Sequence, residues 1–233
     1  MKWGFLGIVL LLASCSFPEQ DVKVFSISYL FFDADEGWQG DFADYPEGDS
    51  IAYELYYDHE QLPANLNTNQ VNKALYISGK NESDDLFMFV KKKISGLRPN
   101  TSYLLLFNVR LASNAPTGAP GIGGAPGESV YVKVGATVEE PVKQLVAGMY
   151  RMNIDKGNQD EEGADMINIG HVGVASNTTT YTLINRNNSS SHGFEITTDD
   201  TGAIWLIVGT DSGYEGKTSL YYTQIDILFN ELD

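Results

Sequence analysis

The stretch FFDADEGWQGDFADYP, residues 31–46, directly follows a run rich in β-branched and aromatic residues. It holds five acidic residues, two glycines and five aromatic residues in sixteen positions. Disordered acidic tails carry few aromatic residues, and segments built only for packing carry few carboxylates. The stretch therefore predicts the first strand of a β-sandwich running into an ordered loop, whose carboxylates hold a cation or line a ligand site.

Outward from this stretch, short β-rich runs recur along the chain, about a dozen in all. Turn signals rich in Gly, Pro, Asn and Asp separate them, and only residues 139–146 offer a weak helix pattern. Many short strands without alternating helices predict an all-β sandwich or barrel. The predicted strands are 22–32, 51–57, 74–78, 86–94, 103–111, 129–138, 149–154, 166–171, 181–184, 194–197, 203–208 and 219–229.

Three of these runs indicate how the strands are arranged. The apolar run 204–208 predicts a central strand buried on both faces, whereas the alternation in 130–134 predicts a strand with one buried face. Three consecutive lysines, 91–93, at a strand's end indicate a guarded sheet edge. A phosphate- or lipid-binding patch is the alternative for these lysines.

The N-terminus has the pattern of a secretory signal: Lys2, then ten apolar or small residues from Trp3 to Leu12. A helix that spans a bilayer needs about 20 apolar residues, so this run is too short to do so. Leu12-Ala13-Ser14-Cys15 resembles the bacterial lipobox, which implies lipidation of Cys15 and cleavage before it. An ordinary signal peptide with a chance cysteine is the alternative. The predicted organisation is a signal peptide 1–14, a lipidated tether 15–21 and one β-sandwich domain 22–233.

The composition limits the partners. The net charge is −16, and removal of residues 1–14 would take away only Lys2 and leave −17. A chain this acidic is a poor nucleic-acid binder, and anionic lipid headgroups would repel it, so the lipid on Cys15 must supply membrane attachment. Cys15 is the only cysteine, which rules out an internal disulfide. Ser16 stands where an aspartate retains enterobacterial lipoproteins in the inner membrane, which favours the outer membrane.

Several segments resemble a known module. Phe31-x-Asp33 leading to Gly37-Trp38, ALYISG at 74–79, ISGLRPNTSY at 94–103 and the closing YTQIDI at 222–227 are similar to the galactose-binding-like jelly-roll carbohydrate-binding modules. This resemblance implies an antiparallel jelly-roll sandwich and a glycan ligand. Residues 153–163 and 209–216 depart from it and are similar to stretches in a group of secreted bacterial proteins, a likeness that implies no activity. GLxPxTxY also occurs in fibronectin type III domains, two of which would be needed to fill this chain.

In the modules that the chain resembles, a calcium ion commonly ties the loop after the first strand to the closing strand. Carried over residue by residue, this implies that Asp33, Asp35 and Asp226 hold Ca²⁺. Clustered carboxylates from distant segments repel one another unless a hard cation joins them. The spacing in 33–37 does not match an EF-hand loop. A solvated acidic loop without metal is the alternative.

Three acidic loops, 33–44, 155–165 and 210–216, are expected to meet at one rim, because loops at one end of a sandwich converge. Flat aromatic rings there would stack on sugar C–H groups, and Asp and Asn would bond sugar hydroxyls. In the alternative reading, the aromatic residues belong to the core and the acids keep the protein soluble. The predicted ligand-binding residues are Trp38, Asp41, Tyr45, Asn158, Asp211, Tyr214 and Glu215.

The sequence lacks the motifs of nucleotide binding, of zinc sites and of serine hydrolases. DSGYEGKT at 211–218 has Asp211 in place of the first P-loop glycine, and Pro126 replaces the last glycine of a dinucleotide fingerprint in 121–127. The three histidines have no zinc-site spacing, and no Gly-x-Ser-x-Gly elbow occurs. The sequence thus predicts an envelope-anchored, non-catalytic glycan-binding domain. A surface protein that binds other proteins, and a carboxylate-dependent glycan hydrolase, are the alternatives.

Overall fold

The computed structural model of the chain describes residues 24–68, 72–175, 177–189 and 192–232. Within these ranges the chain forms strands and connecting loops, without an α-helix. The strands are β1 (Val24–Leu30), β2 (Gln39–Ala43), β3 (Tyr45–Pro46), β4 (Tyr56–Gln61), β5 (Lys73–Lys80), β6 (Leu86–Ile94), β7 (Ser102–Ser113), β8 (Val130–Thr137), β9 (Lys143–Val146), β10 (Met149–Met152), β11 (Met166–His171), β12 (Thr182–Asn187), β13 (Phe194–Thr197), β14 (Ile204–Ser212) and β15 (Lys217–Glu231).

Two large sheets have the connectivity of a jelly roll. Sheet A has the strand order β12-β7-β15-β5-β4, with β1 also paired to β15 and β13 to β7, and sheet B has the order β11-β8-β14-β6-β2. The chain alternates between the sheets from β5 to β8, and then β14 enters between β6 and β8, and β15 between β5 and β7. These ladders are antiparallel. Late strands inserted between early ones make the two Greek keys of a jelly roll, so the predicted all-β jelly-roll sandwich is confirmed.

The main core lies between the two sheets and follows from period-two alternation. In β7 the side chains at 103, 105, 107, 109 and 111 are buried and the intervening ones are partly or fully exposed. Strand β15 alternates in the same way, with one register shift between Tyr222 and Gln224. One face of sheet A therefore seals the core, and its other face meets solvent.

Sheet B is covered on its outer face as well. Residues 138–165, which we call the cover segment, carry β9 and β10 and lie between β8 and β11. Met152 and Ile154 of this segment pack on a second apolar cluster that contains Phe87, Phe89 and Ile207. The approach is close, because a Cβ added at Gly135 of β8 would lie 1.9 Å from the carbonyl oxygen of Asp165.

Two local predictions are wrong, and two hold in part. The weak helix candidate 139–146 contains strand β9, because it pairs with β10 in the cover segment. Residues 51–55 form turns, and the strand expected there begins at Tyr56. Of lysines 91–93, Lys91 pairs with Gln39 of β2, whereas Lys92 and Lys93 extend past the end of β2 and pair with β14 only, so the predicted edge position holds for these two. In strand 130–134 the face opposite the valines is only partly exposed, because the cover segment encloses Lys133 while Tyr131 stays partly exposed. The central position of 204–208 within β14 is confirmed.

Candidate functional site

The acidic loops do meet, on the outer face of sheet B, and they meet around lysines. Lys156 Nζ of the cover segment lies 2.7 Å from Asp211 Oδ2 and 3.1 Å from Asp44 Oδ2. Lys133 Nζ, from β8, lies 3.5 Å from the same Asp211 oxygen, and the side chains of Lys133 and Asp211 are 0% exposed. The first and third acidic loops are thus joined through a cation of the second.

Arg151 extends this network toward the surface. One guanidinium nitrogen, Nη1, donates to Asp44 Oδ1 at 2.9 Å and to Asp85 Oδ2 at 2.7 Å. Three carboxylates, from Asp44, Asp85 and Asp211, therefore face three cations, from Lys133, Arg151 and Lys156. The ionic cluster formed by these six side chains has no net charge.

Burial and charge act against each other on the pKa values in this ionic cluster. Burial works to lower the pKa of Lys156, but the charges of Asp211, Asp44 and Asp85 more than offset it, so the pKa is raised. For Lys133, burial dominates and the pKa is lowered despite Asp211. Burial and the nearby charge of Asp44 raise the pKa of Asp85. The neighbouring carboxylates keep Lys156 charged, and this charge is what its ion pairs need in order to hold the cover segment on sheet B.

A small cleft of about 230 Å³ opens beside the ionic cluster, lined in part by Asp44, Asp85, Arg151 and Asn158. A glycan hydrolase needs two carboxylates on opposite sides of the scissile bond. In this cleft the guanidinium of Arg151 occupies the space between the two carboxylates. The ionic cluster therefore supports a structural role, holding the cover segment on sheet B.

Two of the predicted ligand-binding aromatics belong to the core. Trp38 is 1% exposed, and its indole packs edge-on against Tyr29 and Phe31. Tyr45 is 4% exposed and lies against Tyr53 and Tyr150. Neither ring offers a face to a ligand, so the prediction is corrected for both residues.

The polar residues predicted to bind ligand lie apart from one another or are already engaged. Asp211 is fully enclosed in the ionic cluster, which corrects the prediction for that residue. Asp41 forms an ion pair with Lys143 at 2.7 Å and stays partly exposed, so ligand binding by Asp41 stays a prediction. Asn158 is exposed at the edge of the cleft. Glu215 is exposed and Tyr214 partly buried, both beside the glycine-rich loop 121–124. The seven predicted residues do not form a common rim.

The three carboxylates expected to hold calcium are not brought together. Asp226 accepts hydrogen bonds from Ser28 Oγ at 2.5 Å, Asn108 Nδ2 at 3.2 Å and Gln224 Nε2 at 2.9 Å. Asp33 and Asp35 lie exposed in the loop after β1. Among the residues that the structure describes, no three His, Cys, Asp or Glu side chains are grouped as metal ligands. Calcium binding as such stays a prediction, which melting temperatures with Ca²⁺ and with a chelator would test.

A different aromatic surface lies on the solvent-facing side of sheet A. Four tyrosines form a continuous line across the sheet, which we call the tyrosine row: Tyr56 in β4, Tyr76 in β5, Tyr221 in β15 and Tyr181 just before β12. Successive ring centroids are 5.8, 4.6 and 5.1 Å apart. Tyr56 is 44% exposed, and the other three rings are partly exposed. The row therefore offers an aromatic surface to solvent.

The tyrosine row results from the register in which β4, β5 and β15 pair. Tyr76 and Tyr221 are directly paired across β5 and β15, and Tyr56 pairs with Ser78, two residues along β5 from Tyr76. Because residues two apart in a strand share a face, all these rings point to the same side. The alternation of residues within one strand shows which side chains point outward. Only the pairing of strands distant in sequence brings the outward tyrosines into one line.

Polar groups accompany the tyrosine row. The hydroxyl of Tyr56 donates to Glu60 Oε1 at 2.6 Å, and that of Tyr76 donates to Ser219 Oγ at 3.2 Å. The hydrogen bond to Glu60, with burial and nearby carboxylates, raises the pKa of Tyr56 to about 12. Burial, with the neighbouring Tyr181 and Tyr76, raises the pKa of Tyr221 to about 12. These two rings thus stay neutral phenols at physiological pH.

Comparison with solved structures returns similar sandwiches at low identity. One is TmCBM61 in complex with β-1,4-galactotriose, at 9% identity and a TM-score of 0.36 over 83% of this chain and 88% of that one. Another is TmCBM27, a carbohydrate-binding module described for specific mannan recognition, at 10% identity and a TM-score of 0.39 over 88% and 98%. A third is xylanase 10B of Clostridium thermocellum, whose CBM22-1 and GH10 modules were solved in complex with xylohexaose. It matches at 12% identity and a TM-score of 0.39, over 85% of this chain and 28% of that one.

No protein-family model and no curated protein matches the sequence. Cys15, the predicted lipidation site, lies outside the described residues. Within the described part of the chain, none of the elements is a helix long and apolar enough to cross a membrane.

Proposed function

We propose that the protein is a non-catalytic glycan-binding domain and that the tyrosine row on sheet A is its binding surface. The observation that carries this proposal is the line of four partly exposed rings across the sheet. An aromatic face stacks on the C–H face of a sugar, while phenol, carboxylate and hydroxyl groups bond sugar hydroxyls. Tyr56, Glu60 and Ser219 supply those polar groups beside the rings.

The tilt of the rings favours one class of glycan. Neighbouring rings are inclined by 56°, 42° and 87° along the tyrosine row. A flat crystalline polysaccharide cannot contact rings with such different inclinations at once. A single soluble chain can twist so that successive sugar units meet successive rings. The proposed ligand is therefore an individual oligosaccharide or polysaccharide chain.

The binding proposal is tested by removing rings from the middle of the tyrosine row. We expect Tyr76→Ala and Tyr221→Ala each to weaken glycan binding about tenfold or more, because one stacked ring contributes on the order of 1–2 kcal/mol. A glycan array identifies the ligand and isothermal titration calorimetry measures the affinity. Tyr131→Ala, on β8 of the other sheet, is the matched control and should bind like the wild type.

Two results would contradict the proposal. One is an array in which the folded protein binds no glycan. The other is a glycan ligand whose affinity is the same for the wild type and both row variants. Circular dichroism of each variant separates lost binding from lost folding.

The proposed function also includes attachment to the cell envelope. It is supported by the lipobox-like Leu12–Cys15 and by the absence of any other cysteine in the sequence. Stable membrane attachment takes two anchoring signals, such as two acyl chains. The lipid would hold the domain at the outer membrane.

Replacing Cys15 tests the attachment. In a Gram-negative expression host, we expect the wild type in the membrane fraction and Cys15→Ser in the soluble fraction. Metabolic labelling with palmitate should mark only the wild type. Ser16→Ala is the control and should keep both the label and the membrane fraction. A soluble, unlabelled wild type would contradict the lipid anchor.

A further inference from the structure

A groove adjoins the tyrosine row on the same face of sheet A. Its volume is about 210 Å³, and its walls are mostly apolar. Leu30 and Leu183 are 42% and 37% exposed there, which is high for leucine side chains. The residues that concern the argument, which we call the leucine groove, are Leu30, Leu62, Leu66, Leu183, Arg110 and Gln224.

Register makes the leucine groove continuous with the tyrosine row. Tyr221 and Leu183 pair with the same residue of β7, Ala112, from its two sides. Arg110 precedes Ala112 by two residues and therefore lies on the same face, about 7 Å further along the strand. The loop before β5 closes the other side, where Asn65 Nδ2 donates to the carbonyl oxygen of Tyr181 at 2.8 Å. A chain bound along the row would lead into the groove.

Arg110 is the charged group among the described residues that line the leucine groove. Its guanidinium forms no hydrogen bond or ion pair with any part of the chain that the structure describes. The other three arginines are engaged: Arg98 by Glu231, Arg151 by Asp44 and Asp85, and Arg186 by backbone carbonyls.

The freedom of Arg110 is unexpected for this composition. The chain has 31 acidic residues against 15 lysines and arginines. Asp226, two residues along β15 from Gln224, is held by Ser28, Asn108 and Gln224 instead. Arg110 is exposed in this partly apolar groove beside aromatic rings, and it is a cation without an ionic partner among the described residues.

We infer that the leucine groove is a subsite for a carboxylate-bearing sugar, a uronic acid, within the glycan bound along the tyrosine row. A guanidinium matches the two oxygens of a carboxylate with paired hydrogen bonds. Arg110 is exposed, so an incoming carboxylate can reach its guanidinium directly. Because the protein as a whole repels anions, a local cation is what lets it accept an acidic glycan. This inference rests on the proposed function and adds the class of sugar.

The test compares acidic oligosaccharides with their neutral forms by calorimetry. The probes are tetragalacturonate, alginate and glucuronoxylan oligosaccharides, each paired with its methyl-esterified or carboxyl-reduced counterpart. We expect the wild type to bind at least one acidic probe about tenfold more tightly than its neutral partner. Raising NaCl from about 0.05 to 0.5 M should weaken that binding and leave the neutral partner unaffected.

Variants assign the preference to the groove. Arg110→Gln should lose the preference for the acidic form and keep the affinity for the neutral form, whereas Tyr221→Ala should weaken the binding of both forms about tenfold. Lys73→Gln, another cation with no ion pair among the described residues, is the matched control and should keep the preference.

The remaining outcomes separate the subsite, the uronic-acid assignment and the proposed function from one another. If glycans bind through the row but acidic and neutral forms bind equally, or if Arg110→Gln keeps the preference, the subsite is wrong and the proposed function stands. If sulfated oligosaccharides bind more tightly than every uronate, the uronic-acid assignment is wrong. If no glycan binds, both the subsite and the proposed function are wrong.

Discussion

Asp211→Ala is expected to lower the free energy of unfolding by about 3–5 kcal/mol. Asp211 is the fully buried anion of the ionic cluster, with Lys156 Nζ at 2.7 Å and Lys133 Nζ at 3.5 Å. Without its carboxylate, the fully enclosed ammonium of Lys133 loses its carboxylate partner, and Lys156 keeps its weaker contact with Asp44 at 3.1 Å. Urea unfolding followed by tryptophan fluorescence measures the loss.

Two further variants show that the effect belongs to the ionic cluster. Asp200→Ala removes an exposed aspartate and should change stability by less than about 0.5 kcal/mol. Adding Lys133→Met to Asp211→Ala should recover part of the loss, because it replaces one stranded charge with an apolar side chain of similar length. A loss below about 1 kcal/mol for Asp211→Ala would show that the cover segment is held by other contacts.

Trp38→Ala is expected to cost about 3–5 kcal/mol of stability while leaving glycan affinity unchanged. The indole is buried, with ring centroids 5.5 Å from Tyr29 and 6.3 Å from Phe31. Truncation would leave a cavity between the strand β1 and the loop that follows it. Thermal unfolding gives the first quantity, and calorimetry on the folded variant at low temperature gives the second.

Trp38→Phe is the matched control, because it keeps an aromatic ring at this position and should cost less than the alanine variant. One result for Trp38→Ala would contradict the placement of Trp38 in the core. A stable Trp38→Ala protein that has lost its glycan affinity would place the indole in a binding site, as the sequence alone predicts.

The fold was predictable because its signals are local. Alternation of buried and exposed residues in runs such as 103–111 marks strands one at a time, and the glycine- and proline-rich turns mark their ends. The burial of 204–208 on both faces follows from an unbroken apolar run. The acidic loops do meet, but on the outer face of sheet B and not at one end of the sandwich, because the cover segment that carries Lys156 packs there.

The binding surface was not predictable, because it depends on register. An aromatic residue beside acids looks the same in sequence whether its ring is buried, like that of Trp38, or exposed, like that of Tyr56. Tyr76 and Tyr221 are 145 positions apart in the numbering and meet only because β5 pairs with β15. The lysines of the ionic cluster were overlooked for the same reason: Lys133 alternates with valines, and nothing nearby in sequence shows what covers it.

The most direct test of the tyrosine row is an NMR titration of protein labelled with ¹³C in its tyrosine rings. The glycan selected by the array is added stepwise, and each ring signal is assigned from single Tyr→Phe variants. We predict that the signals of Tyr56, Tyr76, Tyr181 and Tyr221 shift together with one dissociation constant. Shifts confined to Tyr45, Tyr150 or Tyr214, with the row unchanged, would contradict this account.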